Sequence, residues 1–342
     1  GALSVDSLKT TLKTLFTPDK IRSLRVLIIA LAALVSIHYA PGPHFATRIV
    51  GALGLGGLLA LKGFRSGALN RSGAIAAALV GWGTLYAGVR FSVTLGVFFF
   101  ASSAITRLGA DVKRKIDEGF VEGKEAGGRN WIQVFANGLI PTFLAITYSF
   151  ATGGPEFLLG VANAFETPLA AAFIGYYACC GGDTWSSELG VLSKTPPRLI
   201  TAPWKEVKAG TNGGVTGLGL VASAAGGTAV GAAFWFGGLL IPAVSGQWGL
   251  VLEFAAQFLP ILTLGAAAGV FGSILDSVLG ATVQFSGYCS ERQRMVSTPG
   301  PTVSKVSGLN FLSNAAVNLV SAVVCALICY YGSVFVGLPR AW

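Results

Sequence analysis

Residues 256–283 read AQFLPILTLGAAAGVFGSILDSVLGATV, and the one charged side chain in the whole run is Asp276. About 20 apolar residues in a helix cross the hydrocarbon core of a bilayer, so this stretch spans with residues to spare. Working outward, comparable runs occur at about 23–40, 45–61, 72–89, 91–108, 131–151, 158–181, 214–240 and 309–336, which gives nine expected crossings. Composition agrees: of 342 residues, 53% are hydrophobic and only 11% charged, with a mean hydropathy of +0.67. Soluble chains carry roughly a quarter charged residues. An ordinary water-soluble enzyme is therefore excluded, and disorder and coiled coils go with it, because both need charge that is missing here. The expected fold class is all-α, a polytopic membrane helical bundle.

The basic residues orient that bundle. Of the 24 Lys and Arg, 21 fall in 1–25, 62–71, 107–130, 184–212 and 284–308, which nine crossings place on one side. The positive-inside rule puts that side, with the N-terminus, in the cytosol or stroma. Residues 1–22 are then a cytosolic N-terminal segment and 23–342 a single integral-membrane domain. The net charge of +9 sits in these loops without an aromatic-and-basic strip, so no nucleic-acid partner is expected. Membrane lipids are the surroundings. The five cysteines show no metal spacing, and His38 and His44 lie together at the first membrane border, so no zinc site is expected. Cys325 and Cys329, four apart on an apolar helix, read as core packing. The first residue is not Met, which leaves a removed targeting peptide open. Residues 110–125, with opposite charges four apart, read as a solvated helix.

Polar groups at membrane depth are costly, about 2.5–3.5 kcal/mol each near the centre, and so point to function. Soluble templates are absent: there is no Gly-x-x-x-x-Gly-Lys-Ser/Thr, no His-Glu-x-x-His and no Gly-x-Ser-x-Gly. Four polar places stand out at the basic ends of the spans. The first, CGGDTWSSELG (180–190), offers Asp183, Ser187 and Glu188. Asp183 and Glu188 lie about 140° apart on an ideal helix, so both meet one ion only if the helix bends or stops at Gly181-Gly182. The alternative is plain helix capping. The second, WKEVKAGTNGG (204–214), joins Lys205 and Lys208 to a glycine turn (Thr211, Asn212, Gly213, Gly214) at a helix start, a ready anion site. The third is Asp276 with Gln284 two helical repeats on, where a cation or a structural hydrogen bond would satisfy the acid. The fourth is a pair of amide stripes, Asn130, Gln133 and Asn137 on one span and Asn310, Asn314 and Asn318 on another, which either glue helices together or line a polar pocket.

At these residues the chain resembles a known family. GGDTWSSELG (181–190), KAGTNGGV (208–215) and GSILDSVLGATVQ (272–284), with RSGA (71–74) and GGRNWIQVFANG (127–138), are similar to the transmembrane protein 19 family, the integral-membrane domain of unknown function 92, which includes the plant phytyl-phosphate kinase. The likeness covers roughly 45–337. It is looser to the CTP-dependent phytol and dolichol kinases. The resemblance implies an integral-membrane lipid kinase that transfers a phosphoryl group from CTP, or another nucleoside triphosphate, to an isoprenoid monophosphate, with Mg²⁺ as cofactor. Carried over by motif position, Asp183, Glu188 and Asp276 become metal or nucleotide ligands. Asp183, Lys208 and Asp276 become the catalytic set, with Lys205, Ser187, Thr211, Asn212, Gly213 and Gly214 around the nucleotide phosphates. Arg129 and Asn130 would meet the lipid phosphate, in a pocket with Arg71, Gln133, Asn137, Gln284, Asn310, Asn314 and Asn318. The expected location is the endoplasmic reticulum or chloroplast membrane, with the site facing cytosol or stroma. The alternatives are a transporter of a small polar or anionic solute, or a cytidylyltransferase that forms a CDP-lipid.

Overall fold

The computed structural model describes residues 45–108, 128–152 and 166–335. The N-terminal segment, the first expected crossing, both histidines, the expected helix at 110–125 and the start of the expected sixth crossing lie outside the described residues. Within them the chain forms α1 (Phe45–Arg65), α2 (Arg71–Ala87), α3 (Val89–Arg107), α4 (Trp131–Ala151), α5 (Glu166–Gly190), α6 (Gly217–Val244), α7 (Trp248–Ala255), α8 (Phe258–Val283) and α9 (Asn314–Phe335). Five helical stretches, Val89–Thr106, Trp131–Ala151, Gly217–Val244, Phe258–Val283 and Asn314–Ser333, are long and apolar enough to cross a membrane by length and composition.

Glycine lets the central helices meet. A Cβ built on Gly182 would stand 2.6 Å from the Gly269 carbonyl oxygen, and one on Gly226 would stand 2.7 Å from that of Gly181. On Gly227 it would overlap the Gly265 carbonyl oxygen. So α5, α6 and α8 touch backbone to backbone, the contact that drives association where lipid removes the hydrophobic incentive. On the next side Cys329 of α9 fills the space over Gly175 of α5. Below this seam lies an aromatic core in which Phe91 meets Tyr148, Phe173 and Phe234 at centroid distances of 5.3, 4.8 and 5.8 Å, all edge-on. Edge-to-face rings satisfy each other's quadrupoles. Arg90 is fully buried at that end, 5.2–5.9 Å from the rings of Tyr148, Phe234 and Phe254.

Two small antiparallel sheets depart from the all-α expectation. Between α5 and α6 run β1 (Arg198–Leu199), β2 (Ala202–Glu206) and β3 (Gly214–Val215) in the order β2-β1-β3. Between α8 and α9 run β4 (Ser286–Cys289), β5 (Arg294–Val296) and β6 (Val303–Ser307) in the order β5-β4-β6. These loops must satisfy their own backbone donors and acceptors, and short ladders do so. Asn212 stitches the sheets together: its N–H donates to Ser286 Oγ at 2.9 Å, its Nδ2 to the Phe285 carbonyl at 3.1 Å, and its carbonyl accepts from Ser307 Oγ at 3.4 Å.

A second difference concerns α5, which runs unbroken through Gly181-Gly182 to Gly190, nine residues past the expected end of its crossing. A third is Asn310, which precedes α9 and so is not on the expected stripe. The segment there serves α8 instead. The N–H of Leu309 donates to Thr282, and those of Phe311 and Leu312 donate to Val283, satisfying carbonyls that a helix end leaves orphaned.

The basic loops among the described residues gather at one end. Arg129 N–H donates to Ala68 and its carbonyl accepts from Asn70 N–H. Its guanidinium donates to Ser103 Oγ near the end of α3 and interacts electrostatically with Glu188 on α5. Thr216 Oγ1 donates to the Gly190 carbonyl at 3.4 Å, and the Asn212 bonds join the end of α8.

Candidate active site

Asp183 stands on the last turns of α5, two residues past the Gly181 contact with α6 and one past the Gly182 contact with α8. Asp276 stands on α8, about two helical turns beyond Gly269. The glycine crossing therefore sets how close the two acids come. They are near enough to interact electrostatically, and both are half-buried. Among the described residues neither is ion-paired. Asp276 is held from α9: Ser321 Oγ lies 3.2 Å from Asp276 Oδ2. Asn318, with its amide turned to suit its neighbours, donates to the same oxygen at 3.3 Å and to the Asn314 carbonyl at 2.8 Å. Gln284 Nε2 in turn donates to Asn314 Oδ1 at 3.3 Å. Asp276, Gln284, Asn314 and Asn318 thus come together, with Ser321 added. Sequence reasoning passed over Ser321, although it falls three residues after Asn318 on the same face.

α5 continues unbroken through Gly181-Gly182, and Glu188 interacts electrostatically with Arg129 rather than joining the acid pair. Among the described residues no group of three or more His, Cys, Asp or Glu side chains could hold a metal ion. That leaves Asp183 and Asp276, an all-oxygen set of the kind Mg²⁺ uses when waters and substrate phosphates complete its shell. Two half-buried acids that interact electrostatically, with no ion pair to a cationic side chain among the described residues, fit such an ion.

The lysine loop lies against the same turn of α8. Gly213 has φ +78°, and a Cβ on it would be 2.7 Å from the carbonyl oxygen of Ser277, the neighbour of Asp276. Only glycine allows that approach. The loop's amides are less open than expected. Thr211 N–H donates to the Lys208 carbonyl and Gly214 N–H to that of Thr211, while Asn212 N–H is bound by Ser286. The start of α6 is capped by Thr216, whose Oγ1 accepts from Gly219 N–H at 3.0 Å. What the loop offers an anion is therefore mainly the exposed Lys208. Lys205 is exposed on β2, and Ser187 is exposed with its Oγ donating to the Thr184 carbonyl at 3.1 Å.

Arg129 forms the other flank. Its guanidinium lies 5.4 Å from the Phe99 ring centroid and donates to Ser103 Oγ at 3.0 Å. Burial lowers its pKa from the ordinary arginine value, and Glu188 raises it in opposition. Asn130 and Gln133 form a reciprocal cap on α4: Asn130 Oδ1 accepts from Gln133 N–H at 3.1 Å and Gln133 Oε1 from Asn130 N–H at 3.0 Å. Their expected stripe with Asn137 is thus a capping box at its first two members. Arg71 is exposed at the start of α2, beside the Asn70 cap.

Residues 54–326 match the family described as "Integral membrane protein DUF92". The chain is 43% identical over 295 residues to an Arabidopsis thaliana protein named "Protein PGR", a match that covers 86% of this chain and 98% of that one. It is 31% identical over 245 residues to an uncharacterised membrane protein of Methanocaldococcus jannaschii, covering 70% of this chain and 86% of the relative. No solved structure matches the chain.

Proposed function

We propose, from the premise that this chain belongs to the DUF92 family of integral membrane proteins, that it is a membrane-embedded lipid kinase. It moves a phosphoryl group from a nucleoside triphosphate, CTP first, to an isoprenoid monophosphate such as phytyl or geranylgeranyl phosphate. One observation carries this reading: two half-buried carboxylates, Asp183 and Asp276, oppose each other beside a lysine-bearing loop at the end of a lipid-soluble bundle. Acid pair, cation and apolar walls together suit a reaction between a charged soluble donor and an amphipathic acceptor.

Phosphoryl transfer asks a protein for positioning and charge neutralisation rather than covalent chemistry. Asp183 and Asp276 would hold Mg²⁺, which when bound supplies positive charge to the donor's phosphates. Asn318 and Ser321 keep the Asp276 carboxylate turned into the site. Lys208 meets the phosphate chain from the loop side, and Arg129, fixed by Phe99, Ser103 and Glu188, meets the acceptor's phosphate. That acceptor is already ionised near neutral pH, so its oxygen attacks without a strong general base. The glycine-packed helices present apolar surface to the prenyl chain.

Nine crossings, with the N-terminus and the site in the cytosol or stroma of an endoplasmic-reticulum or chloroplast membrane, complete the proposal. The basic loops support it, since those among the described residues meet at the site's end. The test is product analysis by mass spectrometry with purified protein, Mg²⁺, CTP and C10–C20 prenyl monophosphates. Lipid diphosphate with CDP is expected. CDP-lipid with released diphosphate would assign a cytidylyltransferase instead, and no product from any pair would remove the enzymatic reading.

A further inference from the structure

The sheet between α8 and α9 places an aromatic ring under the site's lysine. Lys208 Nζ lies 3.3 Å from the centroid of the Tyr288 ring on β4. The ring is fixed from its other end. Tyr288 Oη donates to Gln293 Oε1 at 2.6 Å, and Gln293 Nε2 donates to the Ser290 carbonyl at 2.8 Å. Among the described residues Gln293 is the one non-glycine with a positive φ, at 54°. A side chain resists that conformation, and such strain persists where the surroundings hold it, often at functional sites. The loop's distance from the ring is set as well, because Asn212 is bonded to Phe285 and Ser286 at the start of β4.

An exposed lysine normally sweeps through many rotamers, and ordering it costs entropy. A ring face attracts the ammonium group and narrows that search. We propose that Tyr288 is a positioning residue: its ring holds Lys208 at the mouth of the acid-pair site, pre-aimed at the phosphate chain of the nucleoside triphosphate. The inference rests on the reading of Lys208 as a phosphate-binding residue. Gln293 extends the device, since its left-handed turn fixes the Tyr288 hydroxyl.

The experiment compares Tyr288→Phe, Tyr288→Leu, Lys208→Ala and the double variant Lys208→Ala/Tyr288→Leu in the full chain. Tyr288→Leu should raise KM for CTP about five- to tenfold with a smaller change in kcat, the size expected for a lost ring–cation contact. Tyr288→Phe keeps the ring face and should stay within about threefold. The double variant should be no worse than Lys208→Ala, because both changes remove one interaction. A second readout needs no turnover: after reductive ¹³C-methylation, the Lys208 resonance should be ring-shifted upfield in wild type and Tyr288→Phe and revert in Tyr288→Leu. A Tyr288→Leu enzyme with wild-type KM, fully additive losses in the double variant, or an unchanged Lys208 resonance would overturn the positioning role. Wild-type KM in Lys208→Ala would instead overturn the phosphate-binding reading beneath it.

Discussion

Two carboxylates side by side repel unless a proton or a cation stands between them. At the residue scale this makes Asp183 and Asp276 sensitive to what they bind. Stripping divalent ions with a chelator should abolish turnover, and Mg²⁺ should restore it; turnover that survives the chelator would argue against a metal-holding pair. Ser321→Ala removes a donor from Asp276 Oδ2 and should lower kcat several-fold without unfolding the chain, measured beside the melting midpoint. On the other flank, Arg129→Gln should raise KM for the lipid monophosphate about tenfold or more, as for a lost charged hydrogen bond, and leave KM for CTP nearly unchanged. Equal losses for both substrates would place Arg129 elsewhere in the mechanism. Asp183, Asp276 and Lys208 were legible in the sequence because a carboxylate that closes or interrupts an apolar run demands a reason, and a lysine beside a glycine turn at a helix start marks an anion site. Tyr288 was not: it lies 80 positions after Lys208, and no local pattern links an ammonium to a ring that distant. Ser321 looks like any small polar residue in an apolar helix until Asp276 is seen opposite it.

Elements show a similar division. The apolar run 131–151 predicts a crossing, and α4 has the same bounds, since an apolar run opened by Asn130 marks its own start. α5 outlasts the expected crossing because Asp183, Ser186, Ser187 and Glu188 end the apolar run but not the helix. Hydropathy reports the edge of the lipid-like zone, whereas helical hydrogen bonds continue wherever neighbours pack. The two sheets escaped because strands of two to five residues are too short to show alternation. Asn212 is the residue to test here. Asn212→Ala removes the side-chain bond to Phe285 and should cost about 1 kcal/mol, read as a lower melting midpoint in detergent, together with weaker nucleotide binding as the lysine loop loosens. A melting point and KM both equal to wild type would mean that the side-chain bond to Phe285 does not couple the sheets. Gly182→Val, by contrast, should fail at the helix level, because the added side chain meets the Gly269 backbone of α8.

For the whole molecule, the clustering of basic loops was readable from the order of charges, and the contacts around Arg129 and Asn212 explain how those loops share one end. Tight packing of the central helices rests on particular glycine pairs, and which pairs touch is not written in either helix alone, since partner choice depends on how three helices cross at once. Sidedness has its own test. The described cysteines are all buried, so an exposed one can be introduced against a quiet background. Thr195→Cys lies in the loop at the site's end, while Gln247→Cys lies past the far end of α6, about 42 Å along the 28-residue helix. An impermeant thiol reagent added from the nucleotide side should label position 195 and spare 247; the reverse pattern would invert the proposed topology. The central claim, that opposed acids and a cationic loop make one phosphoryl-transfer site, is tested most directly by transfer of the γ-phosphate of radiolabelled CTP to geranylgeranyl phosphate. Wild type, Asp183→Asn and Asp276→Asn are compared at matched fold and Mg²⁺. The account predicts labelled lipid diphosphate from wild type and at least about 10²-fold less from either variant, and it is contradicted by full transfer in both variants or by none in wild type.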